Sequence, residues 1–165
     1  MIDSNFIKNS KISIQNVSRE TLDELNKYSL SIIKKNREIN LISSSTEKTI
    51  NTRHIEDSAQ TIEFIDKKDI KTCTDIGSGA GLPGIVLAIL MKHRNPLFKV
   101  IFYEKSFHKS NFLKDMSKKF NLNTEIHQRN IFEEKNLKTD VIISRAFKPL
   151  PVLLETASTN FKNFK

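Results

Sequence analysis

The sequence has no tryptophan, one cysteine, four glycines and four prolines among its 165 residues. The single cysteine, Cys73, excludes a disulfide framework, and no CxxC or Cys/His spacing suggests a zinc site. The longest apolar run, from Ile85 to Met91, is far shorter than the roughly 20 residues that a membrane-spanning helix requires. The N-terminus also lacks the apolar segment of a signal peptide. We therefore expect a cytoplasmic protein of one domain, with at most a small appended element, that has no contact with membranes.

Negative charge is also scarce, since 27 Lys and Arg face 19 Asp and Glu, which gives a net charge of +8 and an isoelectric point near 9.6. Such a surplus favours a polyanionic partner, and nucleic acid is the first expectation. The abundance of Lys, Asn and Ile along the chain is also what translation of an AT-rich genome produces. Charge alone leaves both explanations open.

The first part of the chain is helical in pattern. Residues 1–17 show no periodicity and are expected to form a loose arm. Ser18 is a suitable N-cap, and apolar residues then recur at three- and four-residue spacings, which predicts an amphipathic helix over 19–39. A second helical pattern places four apolar residues on one face: Ile55, Ala59, Ile62 and Ile65. Residues 18–68 therefore form a helical N-terminal portion.

Strand and helix patterns alternate over the second part, residues 69–165. The predicted strands are Cys73–Ile76, Lys99–Glu104, Thr124–His127 and Val141–Ser144, and the predicted helices cover Ile85–Met91, the region of Phe112–Phe120 and a last segment opened by Pro149 and Pro151. Such alternation predicts an α/β fold, with a parallel sheet and helices on both of its faces.

All four glycines lie within eight residues, at Gly77, Gly79, Gly81 and Gly84. Glycine is needed where the backbone φ angle is positive or where a ligand must approach the backbone closely. Between a buried strand and a helix, such a cluster forms the cofactor-binding turn of a Rossmann-like sheet. A merely tight turn would need only one or two glycines.

The choice of cofactor is less direct, because residues 79–84 also match the GxGxxG pattern of dinucleotide-binding proteins. Asp75 would repel a pyrophosphate but suits the sulfonium and ammonium groups of S-adenosylmethionine. Pro83 removes a backbone N–H at the helix start, where a pyrophosphate would bind. These features favour S-adenosylmethionine over a nicotinamide cofactor.

Glu104 ends the next predicted strand, at the position that faces the cofactor ribose in this fold. A carboxylate there can accept hydrogen bonds from both ribose hydroxyls. The alternative is an exposed acid at the strand end that pairs with Lys105 or Lys109.

Several segments together resemble one family, the small-subunit ribosomal RNA methyltransferase also called glucose-inhibited division protein B. They are residues 75–84 (DIGSGAGLPG), Glu104 to Ser106 with Lys109, Ile143 to Ala146, Asn36 to Ile42, and Arg53 to Ser58. The resemblance implies a class I methyltransferase fold that uses S-adenosylmethionine and methylates N7 of a guanine in 16S ribosomal RNA of the small ribosomal subunit. We further expect the protein to act as a monomer.

The resemblance also implies which residues contact the cofactor: Gly77 and Leu82 in the turn, Asn130 and Ile131 near the adenine, and Arg145 after the fourth strand. We add Asp75, Gly79, Gly81 and Glu104 from the reasoning above. Where the family has a small residue and then an acid, this chain has Asn130 and Ile131. The family continues into further strands beyond position 165, so the C-terminal strands of the sheet are expected to be missing.

No residue is expected to act as a catalytic acid, base or nucleophile, because guanine N7 carries a free lone pair and loses no proton on methylation. Catalysis would consist of positioning and electrostatics. His54 and Asp57 lie three residues apart on a helix, but without a third ligand they favour a polar helix surface over a metal site. Two alternatives stay open: a nicotinamide-dependent oxidoreductase, and a non-catalytic ribosome-binding remnant.

Overall fold

A computed structural model describes residues 17–162 and 164. The arm predicted for residues 1–17 therefore lies, except for Val17, outside the described residues. The first element is helix α1, Arg19–Asn36, and it begins as predicted, because the Ser18 hydroxyl accepts a hydrogen bond from the Thr21 amide at 3.2 Å. The expected continuation to residue 39 is wrong. The helix ends at Asn36, whose side-chain oxygen accepts hydrogen bonds from the Leu41 and Ile42 amides and turns the chain.

The second helical pattern forms several short pieces. A 3₁₀ helix covers Ser44–Thr49 and a π-helical segment covers Asn51–Glu56, followed by α2, Asp57–Gln60, and α3, Ile62–Ile65. The four apolar residues predicted to share a face are all buried: Ile55, Ala59, Ile62 and Ile65. The apolar face is therefore as predicted, although the helix that carries it is irregular.

The remaining chain contains the four predicted strands and the three predicted helices, and it adds β4, β6 and a 3₁₀ turn that were not predicted. In order, the elements are β1 (Thr72–Ile76), α4 (Gly84–Arg94), β2 (Lys99–Tyr103), α5 (Phe107–Phe120), β3 (Thr124–His127), a 3₁₀ turn (Ile131–Glu133), β4 (Leu137–Lys138), β5 (Val141–Ile143), α6 (Leu150–Asn160) and β6 (Phe161–Lys162).

Four strands form the main sheet in the order β3-β2-β1-β5, and every pairing is parallel. Ile76 is paired with Tyr103, and Tyr103 with His127, so the carboxyl ends of these strands meet at one edge of the sheet. Crevices beyond the carboxyl ends of parallel strands are where open α/β sheets bind ligands. Strands β4 and β6 form a separate parallel pair.

Two hydrophobic clusters lie on opposite faces of the main sheet. Along β2, Val100 and Phe102 belong to the larger cluster, and Tyr103 to the smaller one, against which Ile101 packs, as the two-residue period of a strand requires. The larger cluster includes residues of α1 to α5, whereas the smaller one includes Ile131 and Phe161 and receives Leu153 of α6. The prediction of helices on both faces is therefore confirmed. No helix among the described residues is long and apolar enough to cross a membrane.

The helical N-terminal portion shares the larger cluster with the sheet. Tyr28 of α1 is fully buried and its hydroxyl donates a hydrogen bond to the Ala80 carbonyl, 2.7 Å away, inside the glycine turn. Burial raises the pKa of Tyr28 well above its usual value, with a contribution from nearby Asp75, so the hydroxyl keeps the proton that it donates. The division of the chain at residues 68 and 69 stays a prediction.

The contact between α1 and the turn gives a stability prediction. Tyr28→Phe leaves the Ala80 carbonyl without this buried donor, and an unsatisfied buried group costs about 1–3 kcal/mol. We expect the free energy of unfolding in urea to fall by that amount. Tyr103→Phe is the matched control, because the Tyr103 hydroxyl makes no hydrogen bond with the described residues; its effect should stay within about 0.5 kcal/mol. Equal losses in both variants would contradict a special role for the Tyr28 hydroxyl.

Candidate functional site

The glycine turn connects β1 to α4 at the carboxyl edge of the sheet. Gly77, Gly79 and Gly81 have φ angles of +68°, +57° and +89°, a region that residues with a side chain rarely adopt. The amide of Gly77 donates a hydrogen bond to the Tyr103 carbonyl at 2.9 Å, and the Gly81 amide donates to the Ser78 carbonyl at 2.7 Å. The turn is therefore held both to the neighbouring strand and within itself.

The glycines face different surroundings. A Cβ atom on Gly79 would meet only the Gly77 carbonyl, at 3.9 Å, so this position borders open space. A Cβ on Gly81 would lie 2.5 Å from Ile85 and 2.8 Å from Leu113, both in the larger hydrophobic cluster. The prediction of Gly81 as a cofactor contact is therefore not supported by its position, because Gly81 allows close packing of the turn on the core.

Asp75, another predicted cofactor contact, lies at the end of β1. It is fully buried beneath the turn, and its Oδ2 accepts a hydrogen bond from the Gly84 amide at 3.0 Å, while Oδ1 is buried without a partner in the described part of the chain. Its side chain does not line the cavity and holds the start of α4, and its direct contact with the cofactor stays a prediction. Burial raises the pKa of Asp75 to about 7, and nearby Glu104 adds to this effect.

Glu104 lies where it was predicted, at the end of β2 and beside the turn. Its Oε2 accepts a hydrogen bond from the Gly79 amide at 2.9 Å, and its Oε1 accepts one from the Ser106 amide at 2.8 Å. It forms no ion pair with Lys105 or Lys109, which was the alternative. Each carboxylate oxygen can accept a second hydrogen bond, so Glu104 can hold the turn and bind ligand hydroxyls at once.

A cavity of about 310 Å³ opens above the turn, a size that lies at the lower end of small-molecule sites. Its lining comes from the turn, the ends of β2 and β5 and the N-terminal portion: Leu41, Ile42, Ser43, His54, Gly77, Ser78, Gly79, Ala80, Leu82, Glu104, Lys109, Arg145 and Ala146. The structure thus brings together five of the nine predicted cofactor residues: Gly77, Gly79, Leu82, Glu104 and Arg145.

Asn130 and Ile131 do not line this cavity. The Asn130 side chain caps the short 3₁₀ turn and donates to Glu133 at 2.8 Å. Ile131 is buried in the smaller hydrophobic cluster, and its carbonyl accepts a hydrogen bond from Asn160 at 2.7 Å. Both follow β3 at the carboxyl edge of the sheet, but their side chains are used in local structure.

The segment Leu41–Ser43 forms one wall of the cavity, and sequence reasoning did not assign it a role. The Asn36 oxygen holds this segment by accepting from the Leu41 and Ile42 amides at 2.8 and 3.0 Å, and the Asn36 amide donates to Glu47 at 2.6 Å. The available signal was the resemblance over Asn36 to Ile42, which marked the segment without stating what it does.

Arg145 connects the end of β5 to the N-terminal portion. Its guanidinium donates to the Arg53 carbonyl at 2.9 Å and to His54 Nδ1 at 2.7 Å, and it pairs with Asp57 at 3.3 Å. Because arginine cannot accept a hydrogen bond, Nδ1 of His54 carries no proton. Burial lowers the pKa of His54, and the charge of Arg145 lowers it further, so the imidazole is neutral.

The neutral ring extends this connection to the cavity wall. His54 Nε2 carries the proton and donates to the Thr46 hydroxyl at 2.8 Å, which in turn donates to the Ser43 carbonyl at 2.8 Å. A directed series of hydrogen bonds therefore runs from Arg145 through His54 and Thr46 to Ser43. Its effect is to fix the cavity wall relative to β5.

The lining groups define what the cavity can do. Among the described residues there is no group of three His, Cys, Asp or Glu that could hold a metal ion. The lining offers one carboxylate, backbone groups of the turn, two serine hydroxyls, an imidazole, an arginine, a lysine and the apolar side chains of Leu41, Ile42 and Leu82. This combination suits binding and positioning of a polar ligand with hydroxyl groups.

A family model described as "GidB: rRNA small subunit methyltransferase G" matches residues 21–163. The chain is also similar to curated relatives named "Ribosomal RNA small subunit methyltransferase G". The protein from Pelagibacter ubique is 48% identical over 92% of this chain and 71% of its own length. That of Cereibacter sphaeroides is 39% identical over 87% of this chain and 68% of its own length.

Solved structures with a similar fold include a coclaurine N-methyltransferase, described as bound to N-methylheliamine and SAH. It has a TM-score of 0.55 and 16% identity, covering 90% of this chain and 51% of that one. The YcgJ protein from Bacillus subtilis has a TM-score of 0.52 and 15% identity, covering 67% of this chain and 49% of that one. The chain thus spans about half the length of these structures, and the fold is that of class I methyltransferases.

The buried carboxyl of Asp75 gives a pH prediction. The Asp75 carboxyl has a pKa of about 7 in the folded chain and ~3.9 in the unfolded chain. Between these two pH values, the folded chain holds a proton that the unfolded chain has released. This contribution to stability is fully present below about pH 4 and is lost as the pH rises through about 7. Asp75→Asn removes the titration, so the unfolding free energy of the variant minus that of the wild type should increase between about pH 5 and about pH 8.

Urea unfolding at closely spaced pH values measures this difference. It should level off once the carboxyl is fully ionised. A difference that stays constant over the whole range would show that Asp75 does not titrate there.

Proposed function

This chain belongs to the family of ribosomal RNA small subunit methyltransferase G, and we propose from that premise that it transfers a methyl group from S-adenosylmethionine to N7 of a guanine in 16S ribosomal RNA. The observation that carries the proposal is the cavity at the carboxyl edge of the sheet, where the glycine turn and the Glu104 carboxylate meet. The net charge of +8 suits an RNA substrate.

The residues around the cavity fit S-adenosylmethionine. Gly77 and Gly79 present backbone to the ligand, and the open space at the missing Gly79 Cβ leaves room for the methionine part. Glu104 has acceptor capacity for the two ribose hydroxyls. Leu82 provides an apolar contact, and Arg145 lies at the end of β5. Family membership favours this ligand over a nicotinamide cofactor.

The mechanism requires no proton transfer, because N7 of guanine attacks with a lone pair and loses no hydrogen. When bound, S-adenosylmethionine supplies an activated methyl group on its sulfonium. The residues of this chain then act by orientation: Glu104 and the turn hold the cofactor, while the wall fixed by Arg145, His54 and Thr46 limits how the base can approach. Fixing two reactants in line can supply a large part of a rate enhancement.

We further propose that the protein acts in the cytoplasm as a monomer. The RNA of the small ribosomal subunit is found there in bacteria. A non-catalytic ribosome-binding remnant remains the second candidate, and a methylation assay separates the two.

Gly79 provides the test of the cofactor site. In Gly79→Val the side chain enters the open space above the turn, and the positive φ angle adds a strain of about 1–3 kcal/mol. We expect the affinity for S-adenosylmethionine, near micromolar in the wild type by order of magnitude, to fall at least about a hundredfold. Titration calorimetry measures this loss, and circular dichroism should show helix content close to that of the wild type.

Gly81→Val is the matched comparison. The same substitution two residues later meets Ile85 and Leu113 of the core, so it should lower the thermal stability much more than Gly79→Val does. Unchanged cofactor affinity in folded Gly79→Val would show that the turn has a structural role only.

The substrate is tested on 30S particles that lack the modification. We expect labelled S-adenosylmethionine to transfer its methyl group to one guanine of 16S RNA, and borohydride–aniline cleavage to locate it, since N7-methylation makes that position labile. The affinity for RNA should fall with salt, with a slope of about −0.7 per phosphate contact to a single strand. Because N7 faces the deep, narrow major groove of an A-form helix, a guanine inside a duplex should react poorly.

Methyl incorporation without cleavage at any guanine would move the site away from N7. Absence of incorporation by folded protein that binds S-adenosylmethionine would favour the non-catalytic alternative.

A further inference from the structure

A second cavity, of about 540 Å³, lies beside the cofactor cavity. It is lined by Asn36, Asn40, Leu41, Ile42, Ser43, Ser44 and Glu47, and the segment Leu41–Ser43 separates the two, since it lines both. Amides, hydroxyls and one carboxylate supply the polar groups. The lining contains no lysine or arginine, so the cavity is not suited to bind phosphate.

Glu47 lacks a cationic partner, which is unusual for an acid in a chain of net charge +8. It is half-buried, and its carboxylate forms no ion pair with any lysine, arginine or histidine of the described segments. Its one hydrogen bond comes from the Asn36 amide at 2.6 Å. That bond fixes one oxygen and leaves acceptor capacity on both. A fixed carboxylate without a cation is prepared to accept from a ligand that carries adjacent N–H groups.

Guanine is the base that presents two neighbouring donors, N1–H and the N2 amino group, with the O6 acceptor beside them. A carboxylate can accept from both donors, whereas adenine and cytosine each offer a single amino group on this edge. Asn40 is exposed, and its amide makes no hydrogen bond within the described chain, so it can donate to O6.

We propose that this second cavity binds the Watson–Crick edge of the target guanine, with Glu47 accepting from N1–H and N2 and Asn40 donating to O6. The inference rests on the proposed function and adds how the substrate base is chosen. Glu47 and Asn40 are specificity-determining residues here, and neither takes part in the methyl transfer itself.

The position of the cavity agrees with N7 as the methyl acceptor. N7 lies on the imidazole ring, on the side of guanine away from the N1 and N2 donors. When Glu47 holds the Watson–Crick edge in the second cavity, N7 points out of that cavity. The cofactor cavity lies on the other side of the segment Leu41–Ser43 that lines both. Binding of the distal edge orients the base without blocking the reacting atom.

The other acids near the cofactor cavity do not offer this function. Asp57 is paired with Arg145 at 3.3 Å, and Glu104 holds the Gly79 and Ser106 amides, with its remaining acceptor capacity assigned to the cofactor ribose. Asp75 is fully buried under the turn. Apart from Glu104, which is assigned to the turn and the cofactor, Glu47 is the described carboxylate that lines one of these two cavities and has no ion pair with a described residue.

The test replaces the target guanosine of reconstituted 30S particles by inosine, which keeps N7, O6 and N1–H but lacks the N2 amino group. We expect the wild-type chain to methylate guanosine particles at least about tenfold faster, in kcat/KM, than inosine particles, because a site that accepts from an N–H rejects an analogue lacking it. In Glu47→Gln this preference should fall to within about twofold, because the amide that replaces one carboxylate oxygen cannot accept from both donors.

Glu47→Gln keeps an oxygen for Asn36, and its affinity for S-adenosylmethionine should equal that of the wild type. Glu63→Gln is the charge-matched control on an exposed side chain of α3, and it should retain the full preference for guanosine. Asn40→Ala is an independent second variant, and it should lose about tenfold in kcat/KM on guanosine particles with unchanged cofactor affinity.

A preference for guanosine that is the same in Glu47→Gln and in the wild type overturns the proposal, as does a wild-type chain that does not distinguish inosine. A wild-type chain that binds S-adenosylmethionine but leaves guanosine particles unmethylated overturns the proposed function instead, and the inference with it.

Discussion

The hydrogen bond from the Gly84 amide to Asp75 joins the end of β1 to the start of α4. The rest of the site is built on this junction, because the turn that it closes presents Gly77 and Gly79 to the cavity, and the backbone passes through positive φ angles there. Glu104 holds the turn from the neighbouring strand, and Tyr28 holds it from the N-terminal helix. Three separate parts of the chain therefore fix one short segment of backbone. This arrangement buries the Asp75 carboxyl without a cation, and the burial raises its pKa.

The site is composite, because the sheet supplies only part of it. The N-terminal portion contributes the wall Leu41–Ser43, and the series from Arg145 through His54 to Thr46 links that wall to β5. A cavity built in this way cannot form before the helices have packed on the sheet. The helical portion is therefore part of the active unit, and its two cavities share a single separating segment.

Local periodicity was sufficient to predict the four strands of the main sheet and the helices between them, because apolar spacing reflects burial directly. It did not predict β4, β6 or the 3₁₀ and π-helical segments. It could not give the direction of Asp75. The two-residue period puts Asp75 on the same strand face as Cys73, but only the packed structure shows that the larger cluster covers this face. The roles of Leu41, Ile42 and His54 depend on contacts between distant parts of the chain. The position of Gly81 against Ile85 and Leu113 likewise arises only after the core has packed.

The two hydrophobic clusters differ greatly in size, and Phe147 belongs with the smaller one. The space of the missing Gly77 Cβ is filled by the Phe147 ring, so the cofactor turn rests against this smaller cluster as well. Regions with few buried contacts open locally at lower free energy than the main core. Hydrogen exchange should thus be fastest on the face covered by α6, and a ligand that binds the turn only in its folded conformation would slow it. Through the Phe147 ring, ligand binding in the cofactor cavity is thermodynamically linked to the local stability of the sheet face that α6 covers.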